Sequence, residues 1–163
     1  MIEGRVWVFG DDINTDLIQP MHAALKAPTD QIKHVFEANR PGWAQEVARG
    51  DIIVAGENMG TGSSRPASRV LKDLGIGGVI ANSFNTLFLR NCVNYALPAI
   101  ECEGVREVFS DGDRAAFDIR TGEVHNLSTG HGARGRPWPG ALIEILEAGG
   151  LIEQLRSESL LVE

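Results

Sequence analysis

The sequence predicts an α/β domain, and three observations lead to this prediction. Strand-like and helix-like segments alternate over residues 51–102. The strand-like segments are continuous apolar runs between turn residues, as in strands that are buried on both faces of a parallel sheet. The chain has 163 residues, of which 43% are hydrophobic and 23% are charged, so it is long enough for one folded domain and unlike a disordered, collagenous or coiled-coil chain.

One strand and two short helical segments are predicted in the first fifty residues. The run Arg-Val-Trp-Val-Phe at 5–9 is rich in strand-forming residues and ends at a Gly-Asp-Asp turn. The loop that follows runs to Pro20, which disfavours a helical conformation of the residue before it. A helix is expected over 29–36, where capping residues precede apolar residues at helical spacing, and one or two more helical turns over 43–47.

Three strands and two helices are predicted to alternate through the centre of the chain. The predicted strands lie at 51–56, 78–82 and 97–102, and the predicted helices lie at 67–74 and 84–95. Gly75 follows the first helix at the position where glycine commonly ends one. Because a helix between two strands carries the chain back across the sheet, we expect these strands to pair in parallel.

The last third of the chain has a different pattern. Short β-like pieces and a segment rich in glycine, arginine and proline predict an antiparallel flap and a mobile loop at about 106–140. Two short helices, at 141–148 and 151–155, are expected to cover one face of the sheet. No linker is long enough to separate two units, so residues 1–163 are expected to form a single domain.

Composition excludes several classes of function. The formal net charge of −7 repels nucleic acid, and no run of basic residues offsets it. No apolar stretch approaches the ~20 residues that span a bilayer, and the amino terminus has no apolar signal segment. We therefore expect a cytoplasmic protein with neither a nucleic acid nor a membrane as its partner.

Metal binding by this chain is not expected. Cys92 and Cys102 stand in apolar segments and are predicted to be buried free thiols. Two thiols are too few for an iron–sulfur cluster, which usually needs three or four. The four histidines show no metal-ligand spacing in the sequence, so no zinc site is predicted. They are His22, His34, His125 and His131.

The segment from Asn58 to Pro66 has the strongest functional signal. It lies between the end of a buried strand and the start of a helix, where open α/β sheets bind ligands. Its glycines permit a close approach of the backbone, its serines offer hydroxyls, and its arginine has a planar fork that matches a carboxylate or a phosphate. These residues are Gly60, Gly62, Ser63, Ser64 and Arg65. The loop therefore predicts a binding site for an oxyanion.

Two familiar phosphate-binding motifs do not match this loop. A nucleotide phosphate loop ends in Gly-Lys-Ser/Thr, and a dinucleotide fingerprint has a third glycine where Arg65 stands. A plain turn with a helix cap explains the glycines and serines, but it explains Arg65 less directly. A non-catalytic module that binds a phosphate or carboxylate metabolite stays open as an alternative.

Several separated motifs occur in an order that points to one family. They are Asp-Asp-Ile-Asn-Thr-Asp-Leu-Ile-Gln-Pro at 11–20, Gly-Thr-Gly-Ser-Ser-Arg at 60–65, Ala-Asn-Ser-Phe at 81–84 with Arg90-Asn91 and Leu97-Pro98, and Glu-Ala-Gly-Gly-Leu-Ile at 147–152. Together they resemble the small subunit of 3-isopropylmalate dehydratase, or isopropylmalate isomerase. That family is similar to the swivelling carboxyl-terminal domain of aconitase.

The resemblance implies both a fold and a partner. The fold is a layered β/β/α swivelling domain with a mixed sheet flanked by helices. The partner is a separate large subunit that carries a [4Fe-4S] cluster, while this chain binds no cofactor. Together the two subunits form a hydro-lyase that dehydrates and rehydrates a hydroxy dicarboxylate, and the small subunit alone is inactive.

The resemblance also implies roles for residues of two loops. Ser63 matches a serine whose alkoxide removes a proton from the substrate, and Ser64 and Arg65 match residues that hold a substrate carboxylate. Asp16 matches a loop aspartate at the same site, and Gly62 lets the backbone approach the substrate. Because a serine hydroxyl has a pKa far above neutral pH, its anion needs stabilisation, which helix-terminal N–H groups and Arg65 can supply.

The residues after Pro20 bear on the choice of substrate. In the family this loop typically reads Ala-Arg-Tyr-Leu and helps to select the substrate's side group, whereas here Met21, His22 and Ala23 begin it. The missing arginine and tyrosine argue against a tricarboxylate. The implied reaction is the isomerisation of 3-isopropylmalate and 2-isopropylmalate in leucine biosynthesis, and a dehydratase of the dimethylmalate or citramalate type is the alternative. A second departure is Pro66-Ala67, where the family usually has Glu-His.

Overall fold

A mixed β-sheet forms the centre of the molecule. The structure is a computed structural model, and it describes residues 1–62 and 65–160. Within these residues the strands are β1 (Ile2–Val8), β2 (Ile52–Ala55), β3 (Gly78–Ala81), β4 (Ala99–Glu101), β5 (Arg114–Phe117), β6 (Glu123–Asn126) and β7 (Gly132–Arg134). They form one sheet in the order β4-β3-β2-β1-β5-β6-β7.

The first four strands of the chain form the parallel half of the sheet. Strand β2 pairs in parallel with β1 on one side, with Val6 opposite Ile52, and with β3 on the other. Strand β4 continues the sheet with Ile100 opposite Ile80. All four residues of β2 are buried, as expected for a parallel strand that is covered on both faces. The predicted parallel pairing is therefore confirmed.

The remaining strands extend the same sheet in antiparallel fashion. Strand β5 pairs with β1, β6 pairs with β5, and β7 pairs with β6, with His125 opposite Gly132. Strand β7 lies inside the segment that the composition assigned to a mobile loop, so part of that segment is an edge strand. Its predicted mobility stays a prediction.

Helices of four to nine residues connect the strands. They are α1 (Thr15–Ile18), α2 (Met21–Ala24), α3 (Pro28–Gln31), α4 (Trp43–Glu46), α5 (Ala67–Leu74), α6 (Thr86–Asn94), α7 (Gly140–Glu147) and α8 (Leu151–Ser157). Helix α5 has the predicted bounds, and Gly75 ends it in the left-handed conformation with φ +104°. Helices α7 and α8 pack against α6. In the part of the chain that the structure describes, no helix has the length and apolarity needed to cross a membrane.

The helix predicted over 29–36 is shorter than expected. Helix α3 gives way to a 3-10 turn at Ile32–His34, and Phe36 then has a positive φ of 57°. The ring of Phe36 stacks on Phe9 with centroids 4.3 Å apart and meets Trp43 edge-on at 5.0 Å. Burial in this aromatic cluster offsets the backbone strain at Phe36, which local helical spacing does not reveal.

Candidate active site

The predicted site lies where the parallel strands end. The carboxyl ends of β1, β2 and β3 meet at one edge of the sheet, and a loop leaves each of them there. The loop after β2 contains the segment from Asn58 to Arg65, and the loop after β1 contains Asp11 to Thr15. This edge is the usual ligand-binding position of open α/β sheets.

The loops after β1 and β2 run side by side. The backbone N–H of Asp12 donates to the carbonyl of Glu57 at 2.8 Å, and that of Gly60 donates to Ile13 at 2.7 Å. The ladder continues where Thr15 N–H donates to the carbonyl of Thr61 at 2.8 Å. Two motifs that are far apart in the sequence therefore form one surface.

The loop after β3 holds the other side of this segment. Met59 N–H donates to the carbonyl of Ser83 at 3.0 Å, and Asn85 N–H donates to the carbonyl of Met59 at 2.9 Å. The hydroxyl of Ser83 accepts from Asn58 N–H at 3.0 Å and donates to the Glu57 carboxylate. Residues 57–61 are thus hydrogen-bonded on both sides, which makes them a rigid start to the loop.

Gly60 packs closely against helix α6. Both Gly60 and Gly62 have positive φ angles, of 82° and 108°. A Cβ at Gly60 would overlap the ring of Phe88, a buried residue of α6. Gly62 is exposed, and the atom nearest to a Cβ at this position would be Thr15 Oγ1, at 3.2 Å. Close approach of the backbone to a ligand stays a prediction for both glycines, and Gly60 has a packing role in addition.

A substitution of Gly60 tests this packing role. We expect Gly60→Ala to lower the free energy of unfolding by about 3 kcal/mol, because overpacking against Phe88 adds to the strain of a positive φ. Gly62→Ala should cost only about 1 kcal/mol, mainly from its own φ. Gly140→Ala is the control, since a Cβ there meets nothing within 4 Å. Urea unfolding measures all three, and equal stability of the Gly60 and Gly140 variants would contradict the packing argument.

Arg65 and Asp16 are in contact, as expected if both residues belong to one site. The Arg65 guanidinium forms an ion pair with the Asp16 carboxylate, and its Nη1–H donates to the carbonyl of Gln19 at 3.0 Å. The Arg65 side chain is 17% exposed and that of Asp16 is 66% exposed. Gln19 is buried, so its carbonyl is a fixed acceptor that orients the guanidinium.

Helix α1 carries Asp16 and places its carboxylate beside Arg65. The side chain of Asn14 caps the helix by accepting from Leu17 N–H at 2.9 Å, and Asp16 occupies the first turn. The sequence predicts a loop here, so helix α1 is a correction. Asparagine is a common N-cap residue and acidic residues favour the first helical turn, so Asn14 and Asp16 are the local signals for this helix.

The two serines of the predicted site, Ser63 and Ser64, lie outside the described residues. Their flanking residues Gly62 and Arg65 are described. The roles of both serines therefore stay predictions that rest on the family motif.

The three predicted specificity residues lie on a short helix rather than in a loop. Helix α2 begins at Met21, directly after Pro20. Met21 is exposed, Ala23 is buried, and Nε2 of His22 lies 2.8 Å from Oε1 of Glu37. Only Met21 and His22 thus have side chains at the surface, and they follow Gln19, the residue that orients Arg65.

A cleft of about 530 Å³ opens at the same edge of the sheet. Its lining combines carboxylates with guanidinium groups: Glu57, Asn82, Ser83, Glu101, Glu103, Arg134, Gly135 and Arg136. Asp16, Gly62 and Arg65 are not among these residues. The cleft therefore shares Glu57 and Ser83 with the hydrogen-bonded loops, but the Asp16–Arg65 pair does not line it.

Comparison with known proteins agrees with this geometry. Residues 12–104 match the family model of the aconitase C-terminal domain. The chain belongs to the aconitase C-terminal domain family. The match includes both loops that form the site and the helices α5 and α6 that follow them.

Relatives in the family resemble this chain over nearly their whole length. The 3-isopropylmalate dehydratase small subunit 1 of Methanopyrus kandleri is 44% identical over 97% of this chain and 94% of its own. The isopropylmalate/citramalate isomerase small subunit of Methanocaldococcus jannaschii is 42% identical over 97% and 95%. The homoaconitase small subunit of Methanothermobacter thermautotrophicus is also 42% identical, over 93% and 89%.

A solved structure supports the same assignment. The crystal structure of 3-isopropylmalate dehydratase from Methanocaldococcus jannaschii superposes with a TM-score of 0.91 at 35% identity, and covers 98% of this chain and 95% of that one. Together with the relatives, this confirms the predicted resemblance to 3-isopropylmalate dehydratase small subunits and the α/β fold. The relatives' names differ in substrate at nearly equal identity, so overall similarity does not select the substrate.

Proposed function

We propose that this chain is the small subunit of an isopropylmalate isomerase, a hydro-lyase of the cytoplasm that acts with a large iron–sulfur subunit. The observation that carries the proposal is the placement of Arg65. Its guanidinium is oriented by a buried carbonyl at the carboxyl edge of the sheet and is paired with an exposed carboxylate. That arrangement suits a carboxylate-bearing substrate, and the family match supplies the type of reaction.

This chain does not have the ligands for an iron–sulfur cluster. Its two cysteines, Cys92 and Cys102, are both buried, and burial raises the pKa of each thiol above its usual value. A cluster needs three or four accessible thiolates, so these residues do not fit it. In the proposal a [4Fe-4S] cluster therefore belongs to the large subunit, and this chain contributes binding and proton-transfer groups.

Binding begins with an exchange of anions at Arg65. The pair with Asp16 is exposed on the carboxylate side, and exposed ion pairs contribute only ~0–1 kcal/mol. A substrate carboxylate can therefore displace Asp16 at little cost and accept two N–H bonds from the planar guanidinium. The bond to Gln19 stays in place and keeps the guanidinium oriented. Ser63 then removes the substrate proton, with the Arg65 charge favouring its anionic form.

The exposed apolar residues after Gln19 favour an alkyl-substituted malate. Met21 is 64% exposed and Leu25 is 90% exposed, so the segment that follows Gln19 offers apolar side chains at the surface. An apolar contact suits an isopropyl group better than a third carboxylate, which loses hydration without gaining a partner. Isopropylmalate is thus the leading substrate, and citramalate or dimethylmalate is the alternative.

Reconstitution with the large subunit tests this proposal. We expect the mixture, assembled without oxygen, to isomerise isopropylmalate, and each subunit alone to be inactive. The assay compares kcat/KM for isopropylmalate, citramalate, dimethylmalate and homocitrate. A preference for homocitrate would overturn the substrate assignment. An inactive mixture, together with phosphate binding by this chain alone, would favour the non-catalytic anion-binding module.

A further inference from the structure

Two histidines and a glutamate meet at the surface, on helix α2 and on the segment that follows α3. His22 lies on α2, His34 ends the 3-10 turn, and Glu37 follows in the next turn. Glu37 bridges the rings, with Oε1 2.8 Å from His22 Nε2 and Oε2 2.6 Å from His34 Nδ1. The histidines show no metal-ligand spacing in the sequence, because His22 and His34 are twelve positions apart and only the fold brings them together.

We propose that His22, His34 and Glu37 form a binding site for one divalent transition-metal ion, of which Zn²⁺ is the best match. Two imidazoles and a carboxylate are ligands that Zn²⁺ accepts in proteins, and water completes the tetrahedron. This site goes beyond the proposed function and does not rest on it, since it is inferred from the geometry of these three side chains alone, although His22 is also one of the proposed specificity residues.

The distances allow an ion to enter with small movements. One ligand atom from each residue lies within 4.8 Å of the other two. Ligands at ~2.0–2.2 Å from a tetrahedral ion are roughly 3.4 Å apart, so the farthest pair must approach while the two hydrogen-bonded pairs widen slightly. The side chains are 56%, 25% and 36% exposed, so their rotamers can adjust without repacking the core.

The local hydrogen bonds show what the ion would replace. The bond from His34 is the main reason that the pKa of Glu37 is lowered, so the carboxylate is ionised at neutral pH. An ion takes the place of the imidazole protons between the rings and this carboxylate. Lys26 Nζ lies 2.8 Å from His34 Nε2 and opposes the ion in two ways. The Lys26 ammonium adds a positive charge near the ion. It also lies against His34 Nε2, which must carry the ring proton when Nδ1 binds the ion.

A bound ion would restrict the movement of helix α2, which carries the proposed specificity residues. His22 is on the same four-residue helix as Met21, while His34 and Glu37 belong to the segment that Phe36 anchors in the aromatic cluster. Coordination would therefore tie α2 to the core through bonds that are stronger than the present hydrogen bonds. The site thus links metal binding to the position of the proposed specificity residues.

Calorimetric titration of Zn²⁺ into the full chain, purified without a polyhistidine tag, tests the site. We expect one ion per chain. The double variant His22→Asn/His34→Asn should weaken binding by at least about 100-fold, since two ligands are lost. Lys26→Ala should instead tighten binding roughly fivefold by removing a cation near the ion. Co²⁺ provides a second probe, because coordination by this site gives a visible spectrum unlike that of the hydrated ion.

The matched control is His125→Asn/His131→Asn, which removes two exposed histidines of the antiparallel half. It should leave Zn²⁺ binding unchanged. A dissociation constant for Zn²⁺ above about 1 mM in the wild-type chain would overturn the site. The cluster would then serve only to connect α2 to the following segment through hydrogen bonds. Equal loss in both double variants would overturn it as well. Using this chain alone keeps the result separate from the isomerase assay, which needs the large subunit.

Discussion

Replacing Ser63 with alanine should lower kcat of the assembled enzyme by roughly 10³-fold and change KM by less than about threefold. A positioned base contributes about 10²–10⁴-fold to a proton transfer, and alanine has no group that can take over that role. Arg65 and the backbone of the loop continue to bind the substrate carboxylate, so affinity is retained. This pattern distinguishes a group that acts in the transition state from one that only binds.

Exchange of the substrate C–H proton in D₂O measures this step directly. The wild-type complex should exchange the proton, whereas the Ser63→Ala complex should bind substrate without exchange. Ser110→Ala is the control, because Ser110 is exposed in a turn after the 3-10 segment at Val105–Glu107. Turnover of the Ser63 variant near the wild-type rate would remove this serine from the mechanism.

Replacing Arg65 with lysine should raise KM about 10- to 100-fold with a smaller effect on kcat. Lysine keeps the charge, but it cannot bond Gln19 and a carboxylate at once with a planar fork. The loss of one charge-assisted hydrogen bond costs about 1.5–3 kcal/mol, which corresponds to this range of KM.

Steady-state kinetics and equilibrium binding of a substrate analogue measure the Arg65 effect. Arg120→Lys is the matched control, because Arg120 pairs with Glu147 on the exposed surface and should leave KM unchanged. If Arg65→Lys lowered kcat and left KM at the wild-type value, the guanidinium would act on the transition state and not on substrate binding.

The parallel core was predictable because its signals are local. Strands β2, β3 and β4 are apolar runs bounded by glycine or proline, and helix α5 ends at Gly75 as its sequence indicates. Such patterns reflect burial on both faces and turn chemistry, which act over a few residues. The family motifs likewise carried the location of the site, since they are contiguous stretches of sequence.

The elements that sequence analysis missed have weaker local signals. Helices α1 and α2 have only four residues each, too few for an apolar period to show. The expected helix ends before Phe36, because packing of its ring against Phe9 and Trp43 stabilises a non-helical backbone there. The glycine- and arginine-rich composition of β7 predicts a loop, and its strand conformation depends on pairing with β6.

The amino-acid order was thus sufficient for the α/β class, the position of the anion-binding loop and the family. Folding was needed to show that Asp16 pairs with Arg65, that Gly60 packs on Phe88, and that His22 meets His34. The physical reason is that burial patterns and turn residues act over a few neighbouring positions. Contacts between distant segments depend instead on strand order and on the path of each loop, which many sequences with the same apolar pattern would not share.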